Sequence, residues 1–210
     1  MTYGDTVILL YAKAPVSGKV NTRLIPDIGE TVATQLQHDF IHQRLQMLTA
    51  AGLCDTVLMC ALDRRHECFE QCKQNYPVTL LEQTGRDLGE RILNGIEQAL
   101  EGYQYCIVIG TDAPALDART IQQAIDTLHQ QTDVVFVPAE DGGYVLVGVQ
   151  QAHEYLFRNI NWGSAEVMQQ SRDVLNENKV SFEELDTCWD VDRLQDYERY
   201  LLMKEKSHID

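Results

Sequence analysis

Positive charge is scarce in this chain of 210 residues: 17 lysines and arginines face 32 acids, for a formal net charge of −15. A surface of that sign repels nucleic acid and anionic membranes, so neither is expected as a partner. Cysteine is also sparse. There are six, with no C-x-x-C pair, which excludes a disulfide scaffold. No apolar run reaches 18 residues, so no transmembrane helix is expected. Residues Met1 to Asp5 lack the basic segment of a signal peptide, and Val7 to Tyr11 is too short for its apolar core. A reduced, cytoplasmic setting is the expectation. Repeats and low-complexity linkers are missing as well, and one domain spanning residues 1–210 is expected.

What is present is an alternation of short apolar runs with helical patterns. Strands are expected at Val7–Ala12, Thr56–Leu62, Val78–Leu81, Tyr105–Ile109, Asp133–Pro138, Val145–Val149 and Val180–Leu185. Helices are expected at Glu30–Ala51, with Val32, Leu36, Phe40, Met47 and Leu48 as its apolar stripe, and at Arg64–Asn75. Further helices follow up to Leu100, over Ala118–His129 behind Asp117 as N-cap, from a Ser164 cap to about Asn178, and up to about Lys206. The Asp-Gly-Gly at Asp141 to Gly143 signals a hairpin. The class is α/β, with a mixed, mostly parallel central sheet flanked by helices.

Two stretches carry chemistry on their own residues. Cys106 to Pro114, C-I-V-I-G-T-D-A-P, reads as a buried strand whose C-terminal end delivers Asp112 to the mouth of the sheet, a place for a metal ligand. The first strand opens into K-A-P-V-S-G-K-V-N-T-R-L, where Lys13, Lys19 and Arg23 stand in a segment of 26 residues whose only acid is Asp5. An irregular basic loop with free backbone N–H groups suits phosphate. It is not a Walker A loop, since Lys13 and Val20 occupy the positions that need Gly and Ser or Thr, and no G-x-G-x-x-G follows the strand. Cys68 and Cys72, four apart on one helix with His66 nearby, have soft-metal spacing, but no fourth ligand is evident in sequence. Cys54, Cys60 and Cys106 read as core, as do Trp162 and Trp189, although either tryptophan could line a pocket.

Five motifs in order, A-K-A-P-V-S-G-K-V-N-T-R-L, Q-T-G-R-D-L-G-E-R, G-T-D-A-P-A-L, P-A-E-D-G-G-Y-V-L-V-G and D-V-D, resemble a bacterial family of the nucleotide-diphospho-sugar transferase superfamily. That superfamily has the GT-A fold, and members of the family are often labelled glycosyltransferases, including arsenosugar-biosynthesis-like ones. The resemblance runs from about Val7 to Asp196. It implies a single GT-A domain that binds a nucleotide sugar or a nucleoside triphosphate, with a divalent Mg²⁺ or Mn²⁺ as cofactor and a small-molecule acceptor. Asp112 would hold the metal and serve catalysis, with Asp192, and after it Asp190, as returning ligands. In an extended D-V-D these two carboxylates share a side. A converging acid costs about 1–4 kcal/mol per pair at 4 Å, which a cation removes.

The resemblance further implies that Gln83, Gly85, Asp87 and Gly89 touch the base or ribose, beside the phosphate ligands Lys13, Lys19 and Arg23. It implies that Asp141, Gly142, Gly143 and Tyr144 meet the sugar or acceptor, with Asp141 as a general base. Three positions depart from the family pattern: Asn21 for Lys, Trp162-Gly163-Ser164 for Trp-Ser-Thr, and Arg193 for Thr. Glycosyl transfer leads the readings. Nucleotidyl transfer with release of pyrophosphate, and a non-catalytic nucleotide-binding module, are the alternatives. Oligomeric state, donor base, sugar and acceptor stay open.

Overall fold

The computed structural model describes residues 2–206, which build a seven-stranded sheet in the order β3-β2-β1-β4-β6-β5-β7. The strands are β1 (Thr6–Lys13), β2 (Asp55–Ala61), β3 (Val78–Glu82), β4 (Tyr105–Gly110), β5 (Val134–Pro138), β6 (Tyr144–Val149) and β7 (Phe182–Glu184). The helices are α1 (Ile25–Ala51), α2 (Glu67–Asn75), α3 (Leu88–Leu100), α4 (Ala118–His129), α5 (Glu154–Phe157), α6 (Val167–Glu177) and α7 (Leu194–Lys206). Only β6 runs against its neighbours, pairing antiparallel with both β4 and β5. The other pairings are parallel. The expected mixed sheet is therefore found.

Period-two alternation fixes which helix meets which face. Ile8, Leu10 and Ala12 of β1 pack with Ile41 and Leu45 of α1, Phe69 of α2 and Ile125 of α4. Val7 and Leu9 point the other way, toward Ile92 and Ile96 of α3, Phe157 of α5 and Met168 of α6. A third cluster joins Leu24, Leu36 and Phe40 to Trp189, Val191 and Tyr200, so α7 closes over the start of α1.

Several local expectations are corrected. The first helix begins five residues early, at Ile25, with Pro26 in its opening turn and a break at Gly29 (φ 78°). Val32 is 41% exposed, because the buried stripe instead follows Leu36, Gln37, Phe40, Ile41, Arg44, Leu45 and Leu48. The second helix starts only at Glu67, after Asp63 has turned the chain by accepting from the Arg65 N–H. Ser164 does not cap a helix. Its hydroxyl donates to the Asn161 carbonyl, and α6 starts at Val167. By contrast Asp117 caps α4, accepting from the Thr120 N–H at 2.8 Å.

The chain leaves β1 toward β2 and β3, then returns to β4 on the other side of β1. Loops from the C-terminal ends of these two strands diverge there, which opens the crevice that α/β sheets use for ligands. Tyr11 pairs with Gly110, so Lys13 and Asp112 stand two residues further along adjacent strands. Arg44 fixes the second of these loops from below. Its guanidinium, buried at 5% exposure, donates to the carbonyls of Ala113 and Leu116. Arg44→Met would remove both bonds and leave the Leu116 carbonyl without its donor, at roughly 1–3 kcal/mol, while the Ala113 carbonyl keeps the Leu116 N–H. Urea unfolding should show that loss without a change in secondary-structure content of the folded protein.

Candidate active site

The crevice is a cavity of about 470 Å³. Gly110 ends β4 without a side chain, and the reason is space: a Cβ there would lie 2.7 Å from Asp112 Oδ1. The carboxylate thus folds back over its own strand end and lines the cavity with Lys13, Thr111 and Asp141. Asp112 opens to solvent through the cleft, while protein surrounds its other sides. Burial pushes its carboxyl above the ordinary range. Its own backbone N–H, the Arg44 guanidinium and Lys13 oppose that rise, and Asp192 adds to it.

The C-terminal segment crosses the same edge. Cys188 donates to the Pro138 carbonyl, Glu140 to the Cys188 carbonyl, and Val191 to the Asp112 carbonyl at 2.8 Å. This last bond holds the D-V-D segment against the Asp112 loop. Asp190 is pushed up to about 7, first by burial and then by the charges of Asp112 and Asp141. Asp192 instead accepts from Arg23 at 2.6 Å, a partly exposed pair that ties the basic loop to the D-V-D segment. The acids converge without closing: among the described residues, no three of them bring oxygens within 4.8 Å of one another. Two carboxylates with room for phosphate oxygens and water is a donor set that suits Mg²⁺ or Mn²⁺.

The other expected site residues divide. Gln83 lines the cavity, but both its N–H donors go to backbone carbonyls, of Ala12 and Met59. Asp87 lies outside the cavity and caps α3 by accepting from the Glu90 N–H. Gly85 packs on the start of the same helix, where a Cβ would come 2.7 Å from the Arg91 nitrogen. Gly89 allows α3 to touch α5, since a Cβ would lie 2.0 Å from the Phe157 carbonyl oxygen. Lys19 is exposed on the loop and does not line the cavity.

Asp141 Oδ1 accepts from the Gly143 N–H, turning the hairpin. Gly142 (φ 93°) lies so close to the start of α6 that a Cβ would meet the Ala165 oxygen at 2.2 Å. Tyr144 lines the cavity with a hydroxyl that is buried and has no hydrogen-bond partner, its ring edge-on to Trp162. Of the departures from the motif, Asn21 has left-handed backbone (φ 47°) and donates its amide to the Ala33 carbonyl. Gly163 also has positive φ, and Arg193 is exposed.

Three lining or supporting residues escaped the sequence. Arg91 faces the cavity while its Nε donates to the Gly85 carbonyl. Gln37 lines it from α1 and donates to the Lys13 carbonyl. Arg44 holds the Asp112 loop. A broader depression of about 710 Å³ beside α5 and α6 holds none of the expected site residues.

Asp112 and Asp190 both bind protons more tightly in the folded than in the unfolded state. Between the ordinary aspartate range near 4 and about 7, the folded protein therefore carries the extra protons. Stability of the metal-free protein is expected to fall as pH rises through that window. Urea midpoints taken between about pH 5 and pH 7.5 check this, and Asp190→Asn should flatten the slope.

Among solved structures, a provisionally assigned nucleotide-diphospho-sugar transferase from Desulfovibrio desulfuricans G20 is similar at 29% identity. Its TM-score is 0.82, over 90% of this chain and 83% of that one. CMP:2-keto-3-deoxy-manno-octonic acid synthetase, solved with CTP, shares the fold at 12% identity and TM-score 0.59, over 97% and 100% of the two chains. Rv0371c from Mycobacterium tuberculosis H37Rv, solved as a complex with manganese, shares it at 15% identity and TM-score 0.53, over 94% and 98%. No curated protein matches. No helix among the described residues is long and apolar enough to cross a membrane. The resemblance drawn from the motifs is borne out, and the fold is that of nucleotide-sugar transferases and cytidylyltransferases. A family model described as "Uncharacterized protein conserved in bacteria (DUF2064)" matches residues 44–164, more than half of the chain, and the chain belongs to that family.

Proposed function

We propose that this chain is a divalent-metal-dependent glycosyltransferase that takes a sugar from a nucleotide-diphospho-sugar and passes it to a small acceptor. One observation carries the reading: Asp112 lines the cavity beside Lys13 at the switch point of the sheet, and the nearby, partly buried Asp190 is raised by the charge of Asp112. Burial there favours protonation unless a cation is shared. Asp112 and Asp190 would hold Mg²⁺ or Mn²⁺. Asp192, the first choice from the motif, is engaged by Arg23 and ranks behind Asp190. When bound, the metal would supply Lewis-acid stabilisation of the charge on a departing nucleoside diphosphate.

Lys13 and Arg91 are the cations that line the cavity, enough to complement a diphosphate. Arg23 is already neutralised by Asp192, and Lys19 stands outside, which weighs against a triphosphate donor. Asp141 spends Oδ1 on the Gly143 N–H and keeps a second oxygen to take the acceptor's hydroxyl proton as the acceptor oxygen attacks the anomeric carbon. The bond from that carbon to the diphosphate oxygen breaks, and the diphosphate leaves with the electron pair. The rings of Tyr144 and Trp162 offer the sugar an apolar wall.

A thermal-shift screen of nucleotide sugars with and without Mn²⁺ tests the site. At about 100-fold excess over Kd, binding is worth ~2.7 kcal/mol, or a shift of roughly 5–10 °C for a chain of this size. The shift should require metal and disappear in both Asp112→Asn and Asp190→Asn. Retention in Asp112→Asn would remove the metal assignment. Product identity tests the reaction: nucleoside diphosphate released from a nucleotide sugar supports it, and pyrophosphate released from a nucleoside triphosphate moves the chain to the nucleotidyltransferases.

A further inference from the structure

Away from the cleft, α1 and α2 bring together side chains of a different chemistry. His38 and His42 stand one turn apart on α1, and Cys68 and Cys72 one turn apart on α2. One ligand atom from each of His38, His42 and Cys68 lies within 4.8 Å of the other two. Among the described residues this is the only trio of His, Cys, Asp or Glu so placed.

The hydrogen bonds around His42 decide which of its nitrogens is available. The Tyr76 hydroxyl lies 3.1 Å from His42 Nδ1 and 3.4 Å from the His42 carbonyl oxygen. Nδ1 is thus engaged by Tyr76, and Nε2 is the ring nitrogen left for another ligand. His42 Nε2 is buried and has no hydrogen-bond partner. A ring nitrogen fixed through its other nitrogen by a second residue is the arrangement of metal-ligating histidines. An opening of about 440 Å³, lined by His38, His66, Glu67 and Cys68, gives a cation a path from solvent.

We propose that His38, His42 and Cys68 form a binding site for Zn²⁺, separate from the oxygen-donor site at Asp112. Two imidazoles and a thiolate select a borderline or soft ion over Mg²⁺, whose preferred ligands are oxygens. Tetrahedral bond lengths near 2.1 Å put ligand atoms roughly 3.4 Å apart, so closing the trio takes only a small adjustment, and the half-exposed His38 is free to make it. The fourth position faces the opening, where water completes the shell. Bound there, the ion would clamp α1 to α2.

Co²⁺, titrated into the whole metal-free chain, is the probe. One equivalent is expected to give visible ligand-field bands of a four-coordinate ion and a near-ultraviolet thiolate-to-cobalt band, displaced by Zn²⁺. Cys68→Ser should abolish the near-ultraviolet band. His38→Ala, a partly exposed position that leaves the core intact, should weaken cobalt affinity at least ~10-fold. Asp112→Asn should leave both the spectrum and the affinity unchanged. The proposal is overturned if the wild-type chain gives no thiolate band, or if the band survives unchanged in Cys68→Ser and His38→Ala.

Discussion

A guanidinium with almost no access to water lies beneath the C-terminal edge of the sheet, and the cleft above depends on it. Arg44 reaches out of the apolar face of α1 to hold the Ala113 and Leu116 carbonyls of the loop 111–116. Burial brings its own pKa down to about 10, with Asp112 acting in the opposite direction. The cation therefore stays charged, and it compensates an acid that the fold has placed in a confined position. Without that support the buried Leu116 carbonyl would lose its donor and Asp112 would lose the nearest compensating cation beneath it. A carboxylate held by such an underlay has little freedom to swing away from its neighbours, which is what a preformed cation site needs.

Around this support the site balances two signs. Three segments distant in sequence meet at the edge: the loop after β1, the loop after β4 and the D-V-D strap. Arg23 joins the first to the third, and the Val191 N–H joins the third to the second. The cavity itself is lined by Asp112, Lys13 and Arg91, with Asp190 close enough to feel the charge of Asp112. The acids there repel, and the response is a raised affinity for protons that a divalent cation can replace. Cations outside the acids face the opposite way, toward whatever anion enters. Asn21, where the motif has lysine, fits this division. Its left-handed backbone suits Asn, and its amide is spent on the Ala33 carbonyl, so the turn is held by geometry rather than by charge.

Much of this was legible in the chain itself. Apolar runs located six strands to within two residues or so, because the strands at the centre of the sheet are buried on both faces and leave little choice of residue. The edge strand β7 came instead from the mixed stretch V-S-F-E-E-L. The strand-end position of Asp112 followed from Gly110 and Pro114 on either side of it. What sequence could not reveal is which polar residues turn inward. Arg44 and Gln37 stand seven apart on a helix, and in sequence they look like its solvent side. Only the packing shows that they share the buried stripe with Phe40 and Ile41. Arg91 closed a motif that seemed to present its glycines and Asp87 to a ligand, but Asp87 and Gly89 serve the helix start and the α3–α5 contact.

The same limit explains the His and Cys trio. A pattern read along one helix gives Cys68 and Cys72 with His66, three ligands in search of a fourth. The folded chain sets His66 to a different task, accepting from the Cys68 N–H as the N-cap of α2. It supplies His38 and His42 from a helix some 30 residues earlier. Metal sites made by two helices are invisible to spacing rules, because the rule that matters is a packing contact. The two candidate sites also sort by hardness. The cleft offers oxygens at the end of a sheet, open to phosphates, whereas the helix pair offers nitrogen and sulfur beside an opening of its own. A cation that suits one suits the other poorly, so each can fill without competing for the same ion.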